Sequence, residues 1–119
     1  MSRAIALNEA AVVRWLLDHA GAANAATYQV LSVGELMILE GCPCGCASLD
    51  FQPDAWRGSE IVADALAVYP DGQQAGLILW GREGEIVLLE IYDCHPEASH
   101  RFPDIPSLRT YDAPPRDLP

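Results

Sequence analysis

The stretch Ala75-Gly-Leu-Ile-Leu-Trp80-Gly81-Arg-Glu-Gly84-Glu85-Ile-Val-Leu-Leu-Glu-Ile-Tyr92 decides the fold. Two runs of β-forming residues flank the four residues Gly81 to Gly84, which is the pattern of a tight hairpin. Both runs carry apolar residues at consecutive positions, as strands do when both of their faces are covered. We therefore predict central strands at 75–80 and 85–92 in a sheet that is covered by a helix.

The residues before this hairpin predict three further strands, at 35–41, 47–51 and 60–69. Pro70-Asp71-Gly72 is a strong turn signal between the third of these strands and the hairpin. The prediction is therefore a sheet of about five antiparallel strands in a meander.

An amphipathic helix is predicted at residues 8–20, where apolar side chains recur at helical spacing and Asn8 is the expected N-cap. Layer rules then predict a single α+β domain over 1–119, with this helix packed on the sheet. Leu16, Leu79 and Leu88 each lie in a strongly apolar segment, so we expect all three to be buried.

The C-terminal segment 96–119 holds six of the nine prolines of the chain. Proline lacks an amide hydrogen and is excluded from helix interiors and central strands. The segment is therefore predicted to be a Pro-rich tail that wraps the surface.

The chain is strongly acidic, with a formal net charge of −10 and no lysine. Such a chain is repelled by phosphate backbones and by anionic lipid surfaces, so we expect binding neither to nucleic acid nor to membranes. It is attracted to basic surfaces, which makes a basic protein the expected partner. In the alternative interpretation the charge only maintains solubility.

A candidate binding surface is formed by the carboxylates near the hairpin and by one tryptophan in a preceding loop. These residues are Glu83, Glu85, Glu90, Asp93 and Trp56. Carboxylates at this position also serve to discourage unwanted strand pairing, so a purely structural role stays open.

The N-terminal segment lacks the uninterrupted apolar core of a signal peptide, because Asn8, Glu9, Arg14 and Asp18 interrupt it. No apolar run reaches the ~20 residues that span a bilayer. We therefore expect a cytoplasmic protein whose thiols are reduced.

Three of the four cysteines, Cys42, Cys44 and Cys46, crowd into the segment Gly41-Cys42-Pro43-Cys44-Gly45-Cys46. Alternate residues of an extended strand lie roughly 6.5–7 Å apart, whereas the sulfurs around a tetrahedral zinc ion lie within about 4 Å of one another. Zinc therefore requires a sharply folded turn.

Cys94, His95 and His100 are the available further ligands for such a zinc ion. A labile disulfide between alternate cysteines is the second explanation, although it closes a strained ring. The third is that the cysteines pack as small buried side chains, and this is the interpretation that we favour.

No nucleophile elbow, P-loop or dinucleotide fingerprint occurs in the chain. We therefore expect a non-catalytic protein-binding module without a cofactor. The alternative is a zinc-binding or thiol-redox protein centred on the Cys42–Cys46 turn.

Two segments together carry a resemblance to a known group of proteins. One is Cys42-Pro-Cys-Gly-Cys-Ala-Ser-Leu-Asp50, and the other is Asp71-Gly-Gln-Gln-Ala-Gly-Leu-Ile-Leu-Trp80 followed by Gly84-Glu-Ile-Val-Leu-Leu-Glu-Ile-Tyr92. The pair resembles a family of small acidic bacterial proteins with no established function. The resemblance supports the fold and implies no catalytic residues. In size and class the chain is also similar to the immunity proteins of bacterial toxin systems.

Overall fold

The computed structural model describes residues 2–21, 27–28, 33–39, 47–54, 57–93 and 101–111. These residues form one α-helix, α1 (Leu7–His19), short 3-10 turns that include Val33–Glu35 and Ile105–Ser107, and a seven-stranded antiparallel sheet. The strands are β1 (Ser2–Ala4), β2 (Met37–Leu39), β3 (Leu49–Asp50), β4 (Glu60–Val68), β5 (Gln74–Arg82), β6 (Glu85–Asp93) and β7 (Leu108–Arg109).

The sheet confirms the α+β class, but the prediction of about five strands is wrong. All five predicted strands are present, and β1 and β7 are additional. Both additional strands lie at the edges of the sheet, where β1 pairs with β2 and β7 pairs with β4. Two or three residues are too few to show an alternating pattern, so long-range pairing alone makes these segments strands.

The strand order is β1-β2-β3-β6-β5-β4-β7. Only β4, β5 and β6 form a simple meander, because β3 pairs with β6 and not with β4. The connection from β3 to β4 must therefore cross from one side of the β5–β6 hairpin to the other, and it does so near the hairpin tip.

The predicted tight hairpin is present between β5 and β6. Glu83 and Gly84 have φ angles of 53° and 83°, and this pair of left-handed residues makes a two-residue connection of the type that matches strand twist. A register shift follows directly, between Trp80 and Gly81, so the side-chain alternation changes near the tip.

One face of the sheet, the inner face, is packed against α1. Its residues on β4, β5 and β6 are all buried, with relative exposures of 3% or less: Ala63, Ala65, Ala67, Ala75, Leu77, Leu79, Leu89 and Ile91. The alanines of β4 leave room for Val12, Val13, Leu16 and Leu17 of the helix, which are also buried. The expected burial of Leu16 and Leu79 is confirmed.

The start of α1 differs from the prediction, because the N-cap is Ala6 and not Asn8. The carboxylate of Glu9 accepts a hydrogen bond from the backbone N–H of Ala6 at 2.8 Å, which satisfies one of the free amides of the first turn. Arg3 of β1 donates two further hydrogen bonds of 2.8 Å to the same carboxylate. Glu9 therefore joins the edge strand to the helix.

Residues 101–111 return along β4 and end the described part of the chain. Pro103 is fully buried, and Leu108 is 5% exposed. The Arg101 guanidinium lies over the Tyr69 ring, 4.1 Å from its centroid, and the Tyr69 hydroxyl donates to the Arg101 carbonyl at 2.8 Å. The other residues of the predicted Pro-rich tail, 96–100 and 112–119, lie outside the described residues.

None of the helices in the described ranges has the length and apolar character that crossing a bilayer requires.

Candidate functional site

Several predicted site residues lie outside the described residues: Cys42, Cys44, Cys46, Cys94, His95 and Trp56. The zinc and thiol hypotheses for the segment 42–46 therefore stay predictions. Within the part of the chain that the structure describes, no group of three or more His, Cys, Asp or Glu side chains is placed to hold a metal ion.

Glu83 and Glu85 lie at the tip of the β5–β6 hairpin, and both are exposed. Glu85 accepts a hydrogen bond of 2.9 Å from the side-chain amide of Gln52, which belongs to the connection between β3 and β4. The hairpin tip is thus tied to the crossing loop by a side chain from each.

Arg82 strengthens this connection from the end of β5. Its Nη1 donates to the carbonyl oxygens of Asp54 and Arg57 at 2.9 and 2.8 Å, and its Nη2 reaches the Gln52 side-chain oxygen at 3.3 Å. The ends of the loop segment that contains position 56 are therefore held against the hairpin tip.

The other two predicted carboxylates lie further along β6. Glu90 pairs with Ile78 of β5, and Asp93 pairs with Ala75 at the end of the strand opposite to Glu85. Glu85 and Asp93 are the first and last residues of a nine-residue strand, which separates their backbones by roughly 26 Å. The four carboxylates therefore do not make one compact cluster.

Glu90 belongs to the second face of the sheet, the outer face, which points away from α1. Strand register places these residues of β3 to β6 on this face: Asp50, Ile61, Asp64, Leu66, Val68, Gln74, Gly76, Ile78, Trp80, Arg82, Glu85, Leu88, Glu90 and Tyr92. Apart from Gly76, which is buried, every residue in this set keeps solvent exposure, whereas those of the inner face are buried.

Leu88 is one of these outer-face residues, so the expectation that it is buried is wrong. It pairs with Trp80 on β5 and with Asp50 on β3, and it is only partly buried. The helix α1 covers one face of the sheet. Consecutive apolar residues occur in β5 and β6 because the second face also carries apolar side chains, although solvent reaches it.

The centre of the outer face is apolar, and carboxylates flank it. Asp64, Ile78 and Glu90 are directly opposite one another on β4, β5 and β6. Next to this row, Ile61 and Leu88 lie on either side of Trp80. Ile61 has a relative exposure of 42%, which is high for a large aliphatic residue at a paired strand position.

Trp80 is held in place by Glu90. The indole Nε1–H donates a hydrogen bond of 3.1 Å to Oε1 of Glu90, across the pair of strands. Among the described residues, only Trp80 donates to this carboxylate, and its second oxygen can accept a hydrogen bond from a ligand. An aromatic ring and a carboxylate are therefore presented side by side.

Two tyrosines mark the far end of this face. The hydroxyl groups of Tyr92 and Tyr111 lie 3.2 Å apart, and the two side chains are 38% and 52% exposed. The nearby cation, Arg109, is bound to the carbonyl oxygens of Pro106 and Leu108 at 2.7 and 2.9 Å. It forms no salt bridge to a described carboxylate of the outer face.

Sequence reasoning misses the outer face, because consecutive apolar residues, as in β5 and β6, are typical of strands that are covered on both faces. One available signal was Asp64, a charged residue inside an apolar strand. The register shift between Ile61 and Ala63 hides the alternation of buried and exposed residues in β4, because it changes which residues of this strand point outward.

His19, the histidine within the described ranges, has a structural role. Its ring stacks on Trp15 with the centroids 5.0 Å apart, and its Nδ1 lies 3.1 Å from the Trp15 carbonyl oxygen. It lies at the end of α1, far along the chain from the carboxylates of the sheet.

No protein-family model, curated protein or solved structure matches this chain. Within the described residues, the outer face and the hairpin tip are therefore the surfaces from which a function is inferred.

Proposed function

We propose that this chain is a single-domain cytoplasmic protein that acts by binding another protein with a basic surface, in the manner of an immunity or inhibitor protein. The outer face of the sheet is the proposed docking surface. Glu83, Glu85, Glu90, Asp93 and Trp56 stay candidate binding residues, and among the described ones Glu90 lies at the centre of this face.

The observation that carries the proposal is the contrast between the two faces of one sheet. Ile61, Ile78, Trp80 and Leu88 form a contiguous apolar area on the outer face, and each remains partly or largely exposed. Aromatic and aliphatic side chains grouped in this way are characteristic of the centres of protein interfaces.

Charge defines the kind of partner. Asp50, Asp64 and Glu90 flank the apolar area. The described cations nearest to it by strand register, Arg82 and Arg109, are each bound to two backbone carbonyl oxygens. A basic partner with apolar side chains among its cations is complementary to this face in both respects. The net charge of −10 also attracts a basic partner before contact, over a Debye length of about 8 Å at physiological salt.

The proposal is tested by capturing partners from an extract of the source cells, identifying them by mass spectrometry and measuring association and dissociation rates with each purified partner. Ile61→Ser should raise the dissociation rate at least about tenfold, because it removes a large side chain from the docking surface. Leu7→Ser is the matched control, since Leu7 is 92% exposed at the start of α1 on the other side of the sheet.

Charge variants separate contact from steering. Asp64→Asn with Glu90→Gln should mainly speed dissociation, whereas Glu83→Gln with Glu85→Gln should mainly slow association at low salt. A partner whose rates respond equally to Ile61→Ser and Leu7→Ser, or to neither, would show that the outer face is not the docking surface.

A further inference from the structure

The outer face contains the two components of an arginine-binding site, an aromatic ring and a carboxylate on neighbouring strands. Trp80 on β5 donates its indole hydrogen to Glu90 on β6, which holds the two side chains together at 3.1 Å. Asp64 on β4 brings a second carboxylate to the other side of Ile78.

The same protein shows how such components hold an arginine. The Arg101 guanidinium lies 4.1 Å from the centroid of the Tyr69 ring and contacts both carboxylate oxygens of Asp71, at 3.2 and 3.3 Å. Its Nη2 also donates to the Gln73 side-chain oxygen at 3.1 Å. The ring binds the face of the guanidinium while the carboxylate binds its edge.

From this parallel we infer that the outer face recognises an arginine side chain of the partner, placed over Ile78 between Asp64 and Glu90 and against the Trp80 ring. This inference rests on the proposed function and specifies the group that the docking surface binds. The strands that carry the two carboxylates lie about 5 Å on either side of Ile78, within the reach of one guanidinium.

Arginine fits this site better than lysine does. A guanidinium is planar, stacks on aromatic rings and presents several donors in a fixed arrangement, so it can contact the indole and both carboxylates together. An ammonium group is compact and strongly hydrated, and it gains less from the ring. The site should therefore distinguish two peptides of equal charge.

The test uses hexa-arginine and hexa-lysine peptides, each titrated at 150 mM salt into the isotopically labelled full chain and followed by nuclear magnetic resonance. Hexa-arginine should bind roughly three- to fivefold more tightly. The indole N–H signal of Trp80 should shift during the titration, and that of Trp15 should not, because Trp15 belongs to α1 on the other side of the sheet.

Two variants complete the test. Trp80→Leu should bring the ratio of the two affinities close to one while leaving hexa-lysine binding nearly unchanged. Should Trp80→Leu fail to fold, Asp64→Asn with Glu90→Gln replaces it, and this double variant should weaken the binding of both peptides, that of hexa-arginine more.

Equal affinity for the two peptides in the wild-type protein, with both weakened by the double variant, would overturn the arginine inference and leave the proposed docking surface standing. Binding of both peptides that is unaffected by the double variant would reject the surface as well. A dimer in sedimentation that Ile61→Glu dissociates would assign the outer face to a second copy of the chain and overturn the inference.

Discussion

The outer end of the Tyr92 ring occupies the space directly above Gly76 on the neighbouring strand. A Cβ atom at Gly76 would overlap that ring, so the absence of a side chain at Gly76 allows Tyr92 to lie across the sheet. Gly81, further along β5, has the same relationship with Tyr28 and Val62 on the inner face, where a Cβ would lie 2.6 Å from each. The two glycines thus serve opposite faces.

Gly81→Ala and Gly76→Ala should therefore differ in their effect on stability. Tyr28 and Val62 are 1% and 0% exposed and have no space to move, so Gly81→Ala should cost about 1–3 kcal/mol. Tyr92 is 38% exposed and can turn towards solvent, so Gly76→Ala should change stability by less than about 1 kcal/mol. Urea unfolding of both variants measures the difference, and equal costs would show that the outer face is as tightly packed as the inner.

Glu9 is expected to make stability depend on pH. Its pKa lies below the ordinary value, mainly because Arg3 donates hydrogen bonds to the carboxylate. Burial opposes this effect, and the hydrogen bond from the Ala6 amide lowers the pKa by a smaller amount. A carboxyl group whose pKa is lowered by folding stabilises the protein above its unfolded pKa of about 4.3. That stabilisation is lost as pH falls through the folded pKa.

The corresponding variant is Glu9→Gln. At pH 7 it should be less stable than the wild-type protein by about 1–2 kcal/mol, and the two stability curves should converge as the pH falls below about 4. Asp18→Asn is the control, because the Arg14–Asp18 pair of 3.1 Å is exposed and such pairs contribute about 0.5 kcal/mol or less. A constant difference between wild type and Glu9→Gln at all pH values would contradict the ionic role.

Local signals predicted the long elements of the fold, and long-range contacts determined the rest. Glu83 and Gly84 form the expected hairpin connection, and the turn at Pro70-Asp71-Gly72 has Gly72 at a φ of 87°. The edge strand β1 could not be predicted, because its three residues become a strand only through pairing with β2.

Irregularities in register explain why the faces of the sheet were harder to predict than its strands. The shift between Ile61 and Ala63 places both Val62 and Ala63 in the core, at 0% exposure each. Simple alternation from Val62 would have assigned Leu66 to the same face, yet Leu66 lies on the outer face. Which residues of β4 belong to the proposed docking surface therefore depends on this register shift, which a two-residue period does not show.

Leu79 and Leu88 should behave differently when each is replaced by alanine. Leu79 lies on the inner face with 0% exposure, so Leu79→Ala should cost about 2–5 kcal/mol. Leu88 is partly exposed on the outer face, and Leu88→Ala should cost about 1 kcal/mol or less. Thermal and urea unfolding provide both values. Similar costs for the two variants would mean that the outer face is covered to the same extent as the inner face.

Glu83 occupies a backbone conformation that disfavours its side chain. Its φ of 53° is left-handed, and asparagine adopts this conformation more readily than glutamate in a connection that continues with glycine. Glu83→Asn should therefore stabilise the protein by about 0.5–1 kcal/mol in urea unfolding. Glu85→Gln is the control for the loss of one charge at the tip. A stabilisation of the same size in Glu85→Gln would attribute the effect to charge and not to the backbone.

The cysteine spacing in the segment Gly41–Cys46 leads to a prediction against the zinc hypothesis. Cysteines spaced by one residue do not bring their sulfurs within the roughly 4 Å that tetrahedral coordination requires unless the chain folds sharply back. Protein purified without added metal should therefore carry well under one equivalent of zinc in elemental analysis. Cys44→Ser should leave partner binding nearly intact, since the proposed docking surface consists of residues on β3 to β6. Three results together would instead place the function at the cysteines. These are near-stoichiometric zinc that disappears in Cys44→Ser, loss of partner binding in that variant, and unchanged partner binding in Ile61→Ser.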